Sequence, residues 1–349
     1  MNFLKGITSK RPLGVLDFGA DMVSVVIAHK SDPSNFQVLG AGSSVSSGLA
    51  KGDIVNLGDA VESVVDAVRK AEESSGVKPE RYYYNFDDAG CMSVRAQGTK
   101  ALNGEGEIRP SDVAEACRSA ERFVGHFERK IVYARDVRSV IDDRDWVDDP
   151  VGVFGRKLDV EMHIIQARSA HCEAWHRLLD RAQVGRTTPV LSALSSVYGV
   201  VPKEDRARRI IVADAGEDYL NLTAFGKHRI IDHRIFLSEE IHLKQWAERA
   251  LAPMRDFVEK NGDAEVFVWT GDLAREDKGL EALKNWISMP VRVGLPLGVQ
   301  KLESPRYAAV AGLLAVAHEM DKKVSILQNH QGFFENAKEK AEAFINEYF

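Results

Sequence analysis

One short pattern occurs twice in the chain. The first copy is Gly14-Val-Leu-Asp17-Phe-Gly19, and the second, Ile211-Val-Ala-Asp214-Ala-Gly216, places its aspartate 197 positions later (214 − 17). In both copies an apolar run leads into Asp-x-Gly and a second apolar run follows, which predicts two strands joined by a tight turn. A hairpin repeated in this way indicates two α/β units, each beginning with its own copy.

Length and composition set broad limits on what the chain can do. Its 349 residues are enough for two or three domains, each with its own hydrophobic core. The net charge of −6 argues against a general nucleic-acid-binding protein, because neutralising phosphates requires clustered Lys and Arg. Three widely spaced cysteines and an N-terminus without a continuous apolar stretch indicate a reducing, cytoplasmic location.

Hydrophobic periodicity predicts the elements that follow each hairpin. An apolar face at helical spacing predicts a helix from about 57 to 74, which ends near Gly76 and is followed by a strand at Tyr82. After the second hairpin, strands alternate with helices again, and an Ala-rich helix is predicted over 307–319. Strands separated by long helices predict an α/β layer in each half. A polar linker is predicted over 321–332.

The segment between these two halves differs in character. A helix is predicted over 111–128 with the Ser111 hydroxyl as its N-cap, and strands follow at 130–134 and 158–167. The acidic run 141–149 lies between the two strands. Because it lacks alternating ligands and the glycine of a calcium-binding loop, this run is predicted to be a solvated loop.

Several further motifs resemble those of the bacterial actin homologue FtsA, in the same order and over nearly the whole chain. Gly40–Gly52 is similar to the glycine-rich stretch after that family's first hairpin. Asp149-Pro-Val-Gly-Val-Phe-Gly155 is similar to a segment of its inserted subdomain, called 1C, where most actin relatives carry a different subdomain. Leu191–Val200 resembles the run into the second hairpin. Trp269-Thr270-Gly271 and Tyr307-Ala-Ala-Val-Ala-Gly-Leu resemble its adenosine motif and closing helix.

The resemblance implies an α/β, actin-like (ribonuclease H-like) duplicated core with an inserted FtsA-type 1C subdomain and a C-terminal amphipathic helix. In actin-like ATPases the two turns face each other across a cleft, where backbone N–H groups hold the phosphates of Mg-ATP. If a nucleotide binds here, Asp17 and Asp214 are the expected Mg²⁺ ligands. The expected nucleotide contacts are Asp17, Gly19, Asp214, Gly216, Thr270 and Gly271. The alternative is that the hairpin residues among them are only turn residues of a sheet.

Both turns depart from the family's nucleotide-binding pattern. Asp21 follows the first Asp-x-Gly, and Glu217, Asp218 and Tyr219 follow the second. An added carboxylate within about 5 Å of a triphosphate is unfavourable by a few kcal/mol at intermediate dielectric, and the tyrosine adds bulk. Asp272 stands where the adenosine turn of the family has a glycine, and its side chain would crowd the base. We therefore expect no cofactor, with Mg-ATP as the alternative.

The chain is also short in the region that carries subdomain 2B in the family. Only about 238–263 lies between the second hairpin and the adenosine strand, which is room for one helix and a turn. In the family, 2B forms one wall of the nucleotide cleft and binds the tubulin homologue FtsZ. Its loss therefore argues against binding of both ATP and that partner. The predicted organisation is subdomain 1A over 1–90 and 169–206, a 1C-like insert over 91–168, subdomain 2A over 207–320, and a linker with an amphipathic helix over 321–349.

The last seventeen residues, 333–349, form an amphipathic pattern at helical spacing. In the resembled family a membrane-targeting helix occupies this position, and burying its aromatic residues would give several kcal/mol of membrane affinity. The charge argues the other way, because four Glu against two Lys gain nothing from anionic lipid. Docking on the protein's own domain or on a partner is the alternative. The residues expected to contact the membrane are Phe333, Phe334, Phe344, Ile345, Tyr348 and Phe349.

These observations predict a cytoskeletal or scaffold protein of cell division or envelope assembly that does not hydrolyse ATP. The expected partners are other copies of the chain in a polymer or dimer, the inner face of the cell membrane, and a division or envelope protein. Two alternatives remain open: an ATP-dependent filament protein, and an adaptor similar to PilM that binds a short peptide of a membrane protein.

Overall fold

The computed structural model describes residues 11–144, 146–237, 251–275, 277–300 and 302–329. The predicted membrane-contacting residues of the tail lie outside this part of the chain. The described strands are β1 (Leu13–Phe18), β2 (Met22–Lys30), β3 (Phe36–Val45), β4 (Leu49–Ala50), β5 (Asp53–Ile54), β6 (Arg81–Phe86), β7 (Met92–Glu107), β8 (Arg129–Ile141), β9 (Trp146–Val147), β10 (Phe154–Arg168), β11 (Arg186–Leu191), β12 (Ile210–Ala215), β13 (Tyr219–Gly226), β14 (Arg229–Leu237), β15 (Val266–Thr270) and β16 (Val291–Val293). The described α-helices are α1 (Leu57–Ser75), α2 (Pro110–Val124), α3 (Ser169–Arg181), α4 (Ser192–Val200), α5 (Leu251–Lys260), α6 (Asp277–Trp286) and α7 (Ala308–Asn329).

The described residues divide into two compact units. The first unit contains the described residues of 11–89, 173–228 and 233–326, and the second contains those of 90–172, 229–232 and 327–329. Each unit has its own sheets and its own buried residues.

Two five-stranded sheets in the first unit have the same topology. The first has the order β11-β6-β1-β2-β3, and the second has the order β14-β13-β12-β15-β16. In each, the predicted hairpin is antiparallel, and two further strands run parallel to its first strand on the other side. The two α/β halves predicted from the repeated pattern are therefore confirmed. The apolar residues of β1 and β12 are almost fully buried, as strands in the middle of a covered sheet should be.

The predicted helix after the first hairpin is confirmed as α1. The Asn56 side chain caps its N-terminus by accepting hydrogen bonds from the backbone N–H groups of Gly58 and Asp59 at 3.0 and 3.3 Å. Gly76 ends it in a left-handed conformation, as the sequence predicts. The face that carries Ala60, Val64, Ala67, Val68 and Ala71 is buried.

The second unit is a four-stranded antiparallel sheet with one helix. Its strand order is β7-β10-β8-β9, and α2 packs on β7 and β10. The core between helix and sheet is small and aliphatic, with Ala116 and Ala120 of α2 lying against Leu158, Val160 and Ile164 of β10. Small residues on the helix let it approach the sheet closely, so a thin layer of side chains is enough to fill the core.

The helix prediction for this unit is wrong in detail, and one strand was not predicted. The helix is shorter than 111–128 and its N-cap is Arg109, because the backbone N–H of Arg109 donates to the Asp112 carboxylate at 2.9 Å and Pro110 occupies the first turn. Most described residues of the acidic run are exposed, as predicted. The run is also tied to the sheet: the Asp142 carboxylate accepts hydrogen bonds from the backbone N–H groups of Arg156 and Lys157 at 2.8 and 2.9 Å, and β9 lies within the run. Strand β7 has no counterpart in the sequence prediction.

The linker predicted over 321–332 is wrong for its first nine residues. Helix α7 continues through Asn329, ten residues beyond the predicted end at 319. The Tyr83 hydroxyl of β6 donates a hydrogen bond to the Asp321 carboxylate, so this polar residue holds the helix on the first sheet instead of leading away from it. Residues 330–332 lie outside the described part of the chain.

The stretch between β14 and β15 is short. It comprises residues 238–265, of which the described part forms helix α5 and the turn after it. The absence of subdomain 2B remains a prediction that rests on this length. None of the described helices is long and apolar enough to cross a membrane.

Helices α4 and α7 join the two halves of the first unit by close backbone contact. A Cβ added at Gly312 of α7 would lie 1.6 Å from the carbonyl oxygen of Ser195, and one added at Gly199 of α4 would lie 1.9 Å from the carbonyl oxygen of Ala308. No side chain other than hydrogen fits at either position. Because each helix follows the parallel strands of its own half, their crossing fixes how the two sheets, and hence the two hairpin turns, face each other.

We predict that Gly312→Ala destabilises the protein by about 1–3 kcal/mol through overpacking at this crossing. Helix propensity alone predicts the opposite sign, because Ala favours a helix over Gly by about 1 kcal/mol. The measurement is the free energy of unfolding in denaturant. Gly58→Ala is the matched control, since this exposed glycine near the start of α1 has only an ordinary contact at 3.5 Å in the direction of its Cβ. If Gly312→Ala stabilises the protein as Gly58→Ala should, the proposed packing is wrong.

Candidate functional site

The two hairpin turns have equivalent geometry. In the first, the backbone N–H of Gly19 donates to the carbonyl oxygen of Met22 at 3.0 Å, and in the second Gly216 donates to Tyr219 at 3.0 Å. Two residues lie between the bonded pair in each case, Ala20-Asp21 and Glu217-Asp218. The turns therefore match position by position.

The aspartates that precede the turns are held by neighbouring elements. The Asn85 side-chain amide at the end of β6 donates to the Asp17 carboxylate, and its oxygen accepts from the backbone N–H of Phe18 at 3.0 Å. In the second half, the Ser196 hydroxyl of α4 donates to the Asp214 carboxylate. Each carboxylate is thus oriented by a polar side chain of the first half.

Asp87 lies between the two sheets, just after β6. Its carboxylate accepts a hydrogen bond from the Asn221 side-chain amide of β13 at 3.3 Å, and the hydroxyls of Ser192 and Tyr219 also donate to it. Asp87 therefore links residues of both hairpin regions. Sequence analysis missed it, together with Asn85 and Ser196.

Burial and mutual repulsion raise the pKa values of these carboxyl groups above that of an exposed aspartate. Burial, reinforced by the charge of Asp214, raises the pKa of Asp17 to about 7 against the opposing hydrogen bond from Asn85. Burial also raises the pKa of Asp87 to about 8, aided by the charges of Asp214 and Asp17. The pKa of Asp214 is raised by burial, and the nearby Asp272 adds to the effect. Burial and the charge of Asp87 raise the pKa of the Tyr219 hydroxyl well above its usual range.

The carboxylates of the turns themselves have partners across the cleft. The Asp21 carboxylate lies 3.6 Å from the guanidinium of Arg306, which also lies 3.5 Å from the Asp272 carboxylate. The Asp218 carboxylate accepts a hydrogen bond from the backbone N–H of Lys51 at 2.9 Å. Three of the residues that depart from the nucleotide-binding pattern, Asp21, Asp218 and Asp272, therefore contact other parts of the same chain.

The two residues expected to contact adenosine are closely packed at the end of β15. Thr270 is fully buried, and its hydroxyl lies 3.0 Å from the carbonyl oxygen of Gly294 and 3.2 Å from that of Pro305. Gly271 has a φ of +92°, and a Cβ there would lie 2.5 Å from the Asp214 carboxylate. Both positions are explained by close packing at the end of β15.

The cleft between the turns is small. It contains a cavity of about 30 Å³, which is room for about two waters. Phe18 and Trp175 form its apolar wall, and Lys51, Asp218 and Tyr219 close it from the second turn and the β4–β5 hairpin. In the described part of the chain, no three His, Cys, Asp or Glu side chains are grouped to hold a metal ion.

The residues present do not fit Mg-ATP. A phosphate at the second turn would lie beside the Asp218 carboxylate, whose charge repels it and which already occupies the Lys51 N–H. The Arg306 guanidinium, between the first turn and the adenosine turn, is shared by two carboxylates. Asp17 and Asp214, the expected metal ligands, are each bonded to a side chain and have raised pKa values.

A sequence signal for some of the missed residues does exist. Asn85 is near the end of β6 and Asp87 follows it directly. Because β6 runs parallel to β1, the carboxyl ends of the two strands meet at one edge of the sheet. Polar residues there would therefore lie beside Asp17. Ser196 and Arg306 carry no comparable signal, since each is an ordinary helix or turn residue until the chain is folded.

Comparison with known proteins relates the second unit to one family. Residues 89–166 match the model of the SHS2 domain inserted in FTSA. The cell division protein FtsA of Borreliella burgdorferi is 26% identical over 203 residues, which are 58% of this chain and 49% of that protein. FtsA of Bacillus subtilis is 25% identical over 221 residues, 63% of this chain and 50% of that protein. The chain thus spans about half the length of the curated relatives that it matches.

Solved structures resemble this chain over most of its length. A PilM-PilN type IV pilus biogenesis complex aligns with a TM-score of 0.59 at 13% identity, over 88% of this chain and 98% of that chain. MreB5 of Spiroplasma citri bound to ADP aligns with a TM-score of 0.52 at 8% identity, over 90% and 98%. Together with the matching topology of the two sheets, these likenesses confirm the actin-like fold predicted from the sequence.

We predict that the free energy of unfolding falls as the pH rises from about 5 to 8. Unfolded aspartates titrate near pH 4, whereas Asp17 and Asp87 do so at about 7 and 8 in the folded state. Between these values the folded state binds more protons, so stability is lost as the pH rises, by roughly 3–4 kcal/mol for each of the two groups. Denaturant unfolding at several pH values measures the slope.

Asp87→Asn should flatten this slope, because the amide stays neutral and its oxygen still accepts from Asn221 and the two hydroxyls. Asp66→Asn is the control: its carboxylate is exposed, and hydrogen bonding to Lys70 lowers its pKa, so it is ionised across the range. An unchanged slope in Asp87→Asn would contradict the assignment of this pH dependence to the cleft.

Proposed function

We propose that this chain, a divergent FtsA-like protein with an actin-like fold, is a scaffold of bacterial cell division or envelope assembly that does not hydrolyse ATP. The match of the inserted unit to the FtsA domain supports the family role. The observation that carries the non-enzymatic part is the pair of turn aspartates, Asp21 and Asp218, which are engaged by other residues of the chain where phosphates would bind.

We further propose that the chain polymerises or dimerises and attaches to the inner face of the cell membrane through 333–349. The amphipathic pattern of this tail supports the proposal, together with the similarity to FtsA over 58% of the chain. The subdomain assignment of the sequence is retained, with 1A over 1–90 and 169–206, 1C over 91–168, and 2A over 207–320.

A second candidate function is an adaptor that binds a peptide of a membrane protein. The likeness to the PilM-PilN complex favours it, because the alignment includes almost the whole of that chain. An adaptor needs neither ATP turnover nor a lipid-binding tail, so a vesicle assay separates it from the scaffold.

We predict that the full chain releases no phosphate from Mg-ATP above the level of a protein-free blank. The reason is that the Lys51 N–H and the Arg306 guanidinium are already bound to carboxylates of the chain, and Asp17, Asp214 and Asp218 place further carboxyl groups at the two turns. A sensitive phosphate-release assay makes the measurement. Turnover that disappears in Asp214→Ala would instead establish the ATP-dependent filament.

We predict that the full chain pellets with lipid vesicles and that a chain ending at Asn329, the last residue of α7, does not. The full chain should bind zwitterionic vesicles as strongly as anionic ones, because the tail carries four Glu and two Lys. Negative-stain imaging of the pellet shows whether the bound protein forms filaments.

Within the tail, Phe344→Ser should weaken vesicle binding by about tenfold or more, because it removes a large apolar side chain from the membrane-facing set. Asn346→Ser on the opposite face is the matched control and should bind as the unaltered chain does. If neither the full chain nor the truncated one pellets, the tail is a docking helix and the adaptor is the better assignment.

A further inference from the structure

We infer that the two turn aspartates form a reciprocal latch that holds the nucleotide cleft closed without a nucleotide. Asp21 lies four positions after Asp17, and Asp218 lies four positions after Asp214. They therefore occupy the same position in the duplicated hairpin. Each contacts the opposite half of the first unit: Asp21 reaches Arg306, and Asp218 reaches Lys51.

The Asp218 side of the latch is a hydrogen bond to a charged acceptor. Lys51 lies in the two-residue turn between β4 and β5 with a φ of +53°, and its backbone N–H lies 2.9 Å from the Asp218 carboxylate. Backbone N–H groups in such turns are donors suited to anions. The carboxylate of the second half supplies that anion from within the chain, so no phosphate is needed to hold the β4–β5 hairpin over the cleft.

The Asp21 side is an ion-pair network with one shared cation. Arg306 lies in the short 3-10 turn Pro305–Tyr307 before α7, with about 28% of its side chain exposed. It lies between Asp21 of the first turn and Asp272 of the turn after β15. A guanidinium between two carboxylates attracts both and so offsets the repulsion that they exert on each other across the cleft.

The two sides are individually modest and act at opposite rims of the same cleft. Exposed ion pairs contribute little singly, whereas a hydrogen bond to a carboxylate is stronger. The main support for a common role is symmetry, because an aspartate at the same position of each hairpin contacts the opposite half of the unit. The inference concerns closure alone and does not depend on the proposed role in cell division.

Hydrogen exchange of the full chain, in the absence of nucleotide, tests the latch. In Asp218→Ala the Lys51 amide should exchange about tenfold faster, the factor expected from losing a hydrogen bond to a charged acceptor. Asp218→Asn keeps an acceptor oxygen and should show a smaller effect. Glu217→Ala is the matched control, since this adjacent carboxylate is exposed and has no polar partner among the described residues.

For the other side, Arg306→Ala should speed exchange in the 19–22 and 271–273 turns, and Asp21→Ala combined with it should add little further. Lys51 exchange that is equal in Asp218→Ala and Glu217→Ala would overturn the inference, as would additive effects of Asp21→Ala and Arg306→Ala. A strong slowing of exchange at these turns on adding Mg-ATP to the unaltered chain would also overturn it, because the nucleotide would then be what closes the cleft.

Discussion

The contact between the backbones of α4 and α7 is the constraint on which the rest of the first unit depends. Glycines at 199 and 312 let the two helices approach until no side chain fits between them. Each helix belongs to a different half, so this distance determines how far apart the two sheets lie. With the sheets this close, the hairpin turns face each other and Asp17, Asp87 and Asp214 share one electrostatic environment.

The same closeness underlies our proposal that the cleft keeps the framework of a nucleotide site without binding a nucleotide. An actin-like cleft needs unoccupied donors and room for phosphates between the turns. Here the donors are bonded to carboxylates of the chain, and the carboxyl groups behind them are buried enough that two titrate near neutral pH. The contacts across the cleft join the two halves of the fold as a bound ligand otherwise would. The fold therefore remains intact without one.

The fold was largely predictable because its signals are local. The Asp-x-Gly repeat, the periodicity of α1 and the alternation of strands and helices each extend over a few residues. Strand β7 was missed because only Ala96 and Gly98 of its sixteen residues are buried, so it lacks an apolar pattern and is specified by pairing with β10. The end of α7 was missed because Asp321 looks like a linker residue until Tyr83, 238 positions away, is placed beside it.

The site was less predictable than the fold for the same physical reason. Sequence reasoning found the substituted turn residues and judged them harmful to nucleotide binding, but their partners could not be found. Arg306 is 285 positions from Asp21, and Lys51 is 167 positions from Asp218. Such pairs form only through tertiary packing, so the spacing of residues along the chain does not predict them.

The most direct test of the central claim is a calorimetric titration of the full chain with Mg-ATP. A cleft closed by its own carboxylates should give no saturable heat of binding up to millimolar nucleotide. A saturable isotherm with micromolar affinity, lost in Asp214→Ala, would show that the turns still bind nucleotide and would contradict the account.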